Sequence, residues 1–498
     1  MDTADEQGYN QSEERRVIVL VQPMTNVFDA GKSRPTPPLS LLAAARLAAH
    51  RYAVRIVDQR CQPDWRARLA ELLAEKPLLV GVTSVTGAQL NSALEIVRYA
   101  KSAAPHVPVV WGGVHASLFP DQVLDEPTVD FVVRGEGEET LAELADALSV
   151  GKTPAGIEGV SFRTDGRVMH EPEREPVDLA MMPDVDLSLP PGGDYFLVQG
   201  KPATYVETSR GCPMRCAYCY NAVFHHSRWR GEPSEHVLER WDRLRVERPH
   251  LRRLSIVDDN YFGKRAHALA IAEGLIKMGA PFTYQVQGAE VAVLAKMTDD
   301  ELFLLQNSGC VRLDMGVESG SRRLLAEVNK NLNPDDVLAL NRRLARVGIT
   351  GWYNFLAGMP GETDADLNAS LELLLRLLKE NRQALVSPFY LYAPYPGTAL
   401  FERARKLGYE PPQRLDGWSG LHSGKRPAPW IDPRRQRRLA AIYFTSIFVD
   451  HKLEVYDTRL AYRLAARLYR PIARWRLRHR FFALMPELPI FRAFFRID

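Results

Sequence analysis

The chain has 498 residues, 46% hydrophobic and 25% charged, proportions of a globular protein with two or three domains. A net charge of +3 is too small to imply a nucleic-acid partner, and five cysteines, two of them far apart at Cys61 and Cys310, argue against a disulfide framework and fit a reducing cytoplasm. No run of eighteen apolar residues occurs, and the polar, acidic start, Met1 to Arg16, lacks a signal-peptide core.

Residues 1–14 are expected to be disordered. From there the pattern alternates. Val17–Val21 reads as a strand, and Pro37-Pro38 opens a helix over 39–50. Strands follow at 53–57, 78–83, 107–111 and 130–133, with helices at 65–74, 87–103 and 138–148. Strands alternating with helices predict a parallel, doubly wound α/β sheet over residues 15–150, with ligands at the carboxyl ends of its strands.

Those ends carry Ser84-Val-Thr86, Gly112-Gly113-Val-His115 and Arg134-Gly135-Glu136-Gly137-Glu138. The glycines let a backbone approach a large flat ligand, and the hydroxyls can bond a nucleotide tail. Each motif alone fits a plain flavodoxin-like domain. Together, in this order, they resemble the cobalamin-binding domain found ahead of many radical S-adenosylmethionine (radical SAM) enzymes. The resemblance implies that Ser84, Thr86, Gly112, Gly113, His115, Gly135 and Glu136 contact cobalamin. The loop after the first strand, Met24 to Lys32, has no histidine where many such domains place a cobalt ligand. By analogy cobalamin would bind base-off, with His115 as either an alternative ligand or a packing residue.

Residues 151–200 read as a linker, with a hairpin turning at Asp165-Gly166 and an irregular Pro/Asp/Gly segment over 183–193. Next, the strand Ala203–Thr208 leads into Cys212-Pro-Met-Arg-Cys216-Ala-Tyr218-Cys219. Three thiolates suit an iron–sulfur cluster. Zinc generally takes a fourth Cys or His, and His225 and His226 are near enough in sequence to leave that reading open. The C-x3-C-x2-C spacing, with Tyr218 before the last cysteine, resembles the radical SAM signature. There three cysteines hold a [4Fe–4S] cluster whose open iron chelates SAM, and reductive cleavage gives a 5′-deoxyadenosyl radical.

Six βα units are expected over 201–410. Strands at 253–257, 282–286, 311–315, 351–357 and 385–392 follow the first. The helices expected between and after them are 264–278, 298–308, 334–347, 364–380 and 398–407. Six units resemble the partial (β/α)6 radical SAM barrel. Polar groups at strand ends read as site residues. Asp258 and Asp259 offer carboxylates to SAM, substrate or a helix N-terminus, where relatives often carry Gly-Gly-Glu. Glu318 resembles the residue that bonds the SAM ribose, and Gly358 to Thr363 the stretch against its adenine and methionine parts. The resemblance makes Tyr218, Asp258, Asp259, Glu318 and Gly358 the SAM contacts. Arg210 and Arg215 flank the cysteines, and Cys310 reads as core. No catalytic residue is assigned beyond these.

Residues 411–498 read as a helical extension, with a loop over 418–433 and helices at 434–451 and 453–468. Arginines interleaved with aromatics follow, on a cap closing the barrel mouth or on an anionic membrane surface. The resemblance as a whole implies a cobalamin-dependent radical SAM enzyme, foremost a methyltransferase on an unactivated carbon of a small-molecule substrate, natural product or lipid-like. One SAM would supply the methyl group by way of cobalamin, and a second the hydrogen-abstracting radical. A cyclisation, ring rearrangement or oxidation on the same layout is the alternative. The implied cofactors are the [4Fe–4S] cluster, SAM and cobalamin. A flavodoxin- or ferredoxin-type donor would supply the electron.

Overall fold

The computed structural model describes residues 15–25, 36–190, 195–198, 201–421, 428–456 and 459–489. The expected disordered N-terminus, most of the 24–32 loop and the last nine residues lie outside these. Two sheets organise the chain. In the first, β1 (Val17–Gln22), β2 (Ala53–Asp58), β3 (Leu79–Thr83), β4 (Val109–Gly112) and β5 (Phe131–Val133) run parallel in the order 2-1-3-4-5. Strands buried on both faces need near-continuous apolar runs, and these have them. Helices α1 (Leu39–Ala48) and α4 (Glu138–Ser149) cover one face through Leu41, Ala45, Leu141 and Ala145. Helices α2 (Trp65–Ala74) and α3 (Gln89–Ala103) cover the other through Trp65, Leu69, Ile96 and Val97. The connections reverse between β1 and β3, which opens a crevice at the strand ends.

The hairpin of the expected linker is β6 (Val160–Thr164) and β7 (Arg167–His170), and β6 pairs antiparallel with β5. It therefore extends the first sheet, so the connection proper narrows to the residues after 170. Edge pairing, invisible to a local pattern, satisfies the free N–H and C=O groups of β5.

The second sheet has seven strands: the expected six parallel strands of the half-barrel and a two-residue strand, Leu197–Val198, paired antiparallel at the edge. The six parallel strands are β8 (Lys201–Val206), β9 (Arg253–Ile256), β10 (Thr283–Ala289), β11 (Cys310–Glu318), β12 (Thr350–Ala357) and β13 (Leu385–Leu391). Alternation sorts each strand. Leu254, Ile256, Tyr284, Val286, Leu313, Met315, Tyr353 and Phe355 are buried in the core. The alternate positions Tyr205, Ser255, Gln285, Gln287, Arg312 and Trp352 line a cavity of about 250 Å³. Within it the Gln285 and Gln287 amides both donate to Ser255 Oγ, at 2.9 and 2.8 Å. Cys310 is buried at the start of β11, as expected of a core residue. The helix α5 (Ser234–Glu247), which sequence reasoning missed, precedes β9; α6 (Arg265–Lys277), α7 (Asp299–Asn307), α8 (Pro334–Val347), α9 (Asp364–Glu380) and α10 (Ala399–Lys406) follow the expected positions.

The C-terminal region departs from expectation in detail. Leu415–Gly420, expected partly as loop, forms a 3-10 turn whose Trp418 packs into the first domain's core. Helix α11 (Pro433–Ile447) lies along β13, where Ser446 Oγ accepts from the Phe389 N–H at 3.1 Å and Asp450 Oδ2 from the Val386 N–H at 2.7 Å. Side-chain acceptors thus cover an otherwise open sheet edge. The single helix expected at 453–468 is two, α12 (Lys452–Tyr456) and α13 (Leu460–His479), and α13 runs through Pro471. The cap is not confined to the barrel mouth: Lys452 and Leu453 close the cavity beside Ala203 and Arg253, where the strands begin.

Candidate active site

The cysteine loop is held from beneath by the β9 strand end. Asp258 is buried and accepts from the Thr208 N–H at 2.8 Å, the Thr208 hydroxyl at 2.6 Å and the Ser209 hydroxyl at 2.5 Å. Burial pushes its carboxyl up to about 7 against the pull of those donors. Asp259 accepts from the Gly211 N–H at 2.9 Å and the Tyr220 hydroxyl at 3.2 Å, with His225 Nε2 at 3.4 Å. Both carboxylates, expected near SAM, thus serve the loop's conformation. Gly211 has φ +79, and a Cβ there would lie 2.0 Å from the Arg228 carbonyl oxygen, so the turn into Cys212 requires glycine.

The third residue of the strand end, Asn260, was passed over in the sequence. It is buried, its amide donates to Cys212 Sγ at 3.4 Å, and its Oδ1 has no partner among the described residues. Burial raises the thiols of Cys212, Cys216 and Cys219, the last to about 12. Against burial, the Lys330 cation lowers Cys212 and Cys216.

Lys330 was also missed. It lies in a loop between helices, where no periodicity marks it. Its Nζ is 2.9 Å from Glu290 Oε2, with both side chains buried. Burial opposes its charge, but Glu290, Glu318 and Cys216 hold it protonated above the usual lysine range. Glu318 accepts from the Tyr218 hydroxyl at 3.0 Å and has φ +66. The β11–β12 register shifts between Gly316 and Glu318, a bulge that re-aims the side chain toward the cysteine loop. Tyr218 and Glu318, separated by 100 positions, therefore meet as expected of one site. At Gly358 (φ +77), the N–H donates to Glu362 Oε2 at 2.7 Å and the carbonyl accepts from Trp430 Nε1 at 2.8 Å.

Arg210 points away from the sulfurs into the first domain. Its guanidinium lies 2.7 Å from Glu138 Oε1, 3.6 Å from Glu136 Oε1 and, through Nε, 2.9 Å from Glu207 Oε2. Glu136 also pairs with Arg230 and lies 3.8 Å from His225 Nδ1. The expected cobalamin residue Glu136 thus joins the domains, and His225 bridges Glu136 and Asp259. His226 is exposed beside Glu173, and Arg215 is exposed. Among the described residues no three His, Cys, Asp or Glu side chains close on a single ion.

At the first sheet's strand ends, Ser84 Oγ accepts from Trp111 Nε1 at 2.9 Å, and Thr86 Oγ1 lies 3.1 Å from His115 Nδ1. His115 is fully buried, 5.6 Å from the Trp418 ring, and burial pushes its pKa down to about 4. The Gln122 amide lies close enough to the ring to work against that shift. Gly113 (φ +94) has no room for a Cβ, which would lie 2.6 Å from Thr83 Oγ1; Gly112 beside it is half-buried. Gly135 (φ +69) faces open space.

A family model for the B12 binding domain matches residues 32–145, and one for the Radical SAM superfamily matches residues 206–374. The chain is a B12-binding radical SAM enzyme. An uncharacterized methyltransferase of Pyrococcus horikoshii is 29% identical over 394 residues, 78% of this chain and 83% of that protein. Cytidylyl-2-hydroxyethylphosphonate methyltransferase of Streptomyces wedmorensis is 24% identical over 82% of this chain and 85% of its own. An anaerobic magnesium-protoporphyrin IX monomethyl ester cyclase of Synechocystis is 25% identical over 79% of each chain. The fold matches the radical SAM methyltransferase TsrM of Kitasatospora setae, solved with cobalamin and a [4Fe–4S] cluster (TM-score 0.69, 18% identity, 87% of this chain and 89% of that). It also matches the cobalamin-dependent radical enzyme OxsB (TM-score 0.73, 17% identity, 97% and 75%).

The cofactors of this radical SAM enzyme are a [4Fe–4S] cluster, SAM and cobalamin, and the residues present fit them. Three thiols with raised pKa values, Cys216 buried and Cys212 and Cys219 partly so, need a metal's positive charge to stay ionised. The unpartnered acceptor Asn260 Oδ1 and the Glu318 carboxylate fit the ammonium and hydroxyls of SAM. The open backbone at Gly135 fits a large ligand at the first sheet's strand ends.

Proposed function

We propose that this B12-binding radical SAM enzyme is a methyltransferase acting on an unactivated carbon of a small molecule, natural product or lipid-like. When bound, its cofactors supply a transferable methyl group and a hydrogen-abstracting 5′-deoxyadenosyl radical. The observation that carries the reading is the ion-paired junction of Arg210 and Arg230 with Glu136 and Glu138, which fastens the cysteine loop to the cobalamin-type domain. Methyl transfer needs both domains to face one substrate carbon, and this junction fixes their approach.

In this reading Cys212, Cys216 and Cys219 hold the cluster. Asn260 and Glu318 orient SAM, with Tyr218 steering the Glu318 carboxylate and Gly358 offering close backbone approach. Ser84, Thr86, Gly112, Gly113, His115 and Gly135 form the cobalamin cradle, and Trp418 keeps water from His115. The small-molecule substrate belongs at the carboxyl ends of the barrel strands, beside the cysteine loop, and not in the cavity that Lys452 and Leu453 close where the strands begin. The partners proposed are that substrate and a cytoplasmic electron donor of flavodoxin or ferredoxin type. Among the described residues no helix is long and apolar enough to cross a membrane.

The cyclase among the relatives keeps a second reading, non-methylating radical chemistry, in view. The test is anaerobic turnover of the reconstituted enzyme with candidate substrates. Methylation predicts S-adenosylhomocysteine and 5′-deoxyadenosine together, with a product heavier by one CH2. Deoxyadenosine alone, with a product of unchanged carbon count, would replace methyl transfer by the second reading.

A further inference from the structure

Helix α13 has twenty residues, six arginines and no aspartate or glutamate. One face, Ala466, Tyr469, Ala473 and Leu477, is buried in the barrel's core cluster. That accounts for the fold. The opposite face is also apolar, with Leu460 66%, Leu464 51%, Leu468 78%, Ile472 49% and Trp475 50% exposed. Spacings of four, four, four and three place them in one stripe, roughly 22 Å long at the helical rise. The exposed Phe481 ring adjoins its end, 5.7 Å from the Trp475 ring. A continuous exposed apolar stripe of this kind marks an interaction surface rather than scattered surface residues.

The charges say what covers it. Two carboxylates near this helix, Glu454 and Glu487, are taken by the inner arginines Arg470 and Arg476. The exposed arginines Arg463, Arg467 and Arg478 border the stripe with no carboxylate partner among the described residues, while Arg474 donates its Nε–H to the Val449 carbonyl at 2.7 Å. A second copy of this chain packed through the same face would set arginine against arginine. Residues 490–498, with two arginines and one aspartate, carry more positive than negative side chains and do not complement the face either. A surface both negative and apolar a few ångströms down satisfies both features.

We propose that α13 lies in the plane of an anionic phospholipid surface, its leucine–tryptophan stripe entering the headgroup–acyl boundary and its outer arginines on the phosphates. An apolar face bordered by arginine or lysine is the general form of an interfacial helix, and each basic residue near such a surface adds attraction. The inference concerns attachment and holds whichever radical reaction the barrel performs.

The test is co-sedimentation of the full-length reconstituted enzyme with vesicles of phosphatidylcholine alone or mixed with phosphatidylglycerol. Binding to the mixed vesicles should exceed binding to neutral ones by roughly tenfold or more and fall with added salt. Leu464→Glu with Leu468→Glu should abolish it, and Arg463→Gln with Arg467→Gln should weaken it roughly tenfold or more. SAM cleavage and the thermal melt should stay unchanged in both. Absence of binding to anionic vesicles, or equal binding by the leucine variant, would overturn the proposal. So would a dimer in solution that the leucine variant converts to monomer, which would assign the stripe to a second copy.

Discussion

The Arg210 guanidinium, two residues before the first cluster-type cysteine, lies 2.7 Å from the Glu138 carboxylate at the start of α4, with both side chains almost fully buried. One ion pair thus joins the cysteine loop of the barrel to the Gly-Glu-Gly-Glu turn of the first sheet. Burial works against the Arg210 charge, and Glu207, Glu138 and Glu136 outweigh it. Arg210→Met would leave those carboxylates together without their common cation. Breaking a buried pair from one side costs about 3–5 kcal/mol. Hydrogen exchange should show that loss as faster exchange at residues 208–221 and 135–140, and the variant should retain less cobalamin than the wild type.

His115 sets an acid limit. Burial lowers its pKa from 6.5 to about 4, so the folded state binds its proton less tightly than the unfolded chain. The stabilisation is complete above pH 6.5 and is lost as pH falls toward 4, about 3 kcal/mol in all. His115→Gln keeps an amide in that space and removes the titration. Thermal melts between pH 7 and pH 4.5 should therefore fall less steeply in the variant than in the wild type.

Asn260 carries the one unpartnered acceptor among Asp258, Asp259 and Asn260. Hydrogen bonds to charged groups contribute about 1.5–3 kcal/mol, so Asn260→Leu should weaken SAM binding about 10- to 100-fold. Asp259→Asn should act on loop order and iron retention first. Equilibrium binding of SAM to the reconstituted proteins separates the two.

Lys330 places a buried cation beside the cysteines, where it lowers Cys216. Lys330→Met should shift the cluster's midpoint potential downward, on the order of 50 to 100 mV for one unit charge at an effective dielectric of about 20. A potentiometric titration followed by electron paramagnetic resonance reads it. The same variant leaves Glu290 and Glu318 without their cation, so a lower melting temperature should accompany the shift.

What the sequence makes legible is local. Apolar runs and their spacing located the five parallel strands of the first sheet, the six of the barrel and most of their helices. The cysteine loop was plain from its spacing. Contacts between distant segments were not legible. Nothing near Arg210 in the chain announces Glu138, and Lys330 sits in an unpatterned Asn-Lys-Asn loop. Asp258 and Asp259 read as site residues because they are strand-end carboxylates, yet they spend their oxygens on Thr208, Ser209 and Gly211, and the plainer Asn260 keeps one free. The expected helix stops at Leu468, short of Pro471, but burial of Tyr469, Ala473 and Leu477 carries α13 past it. Tertiary packing there outweighs the one lost backbone hydrogen bond.

The most direct test of the two-domain account is cobalt and iron content per chain after anaerobic reconstitution with iron, sulfide and hydroxocobalamin. The account predicts one cobalt, with a base-off absorbance spectrum, and four irons on each chain. Iron without cobalt would contradict it, leaving the first sheet without its cofactor and methyl transfer without its route.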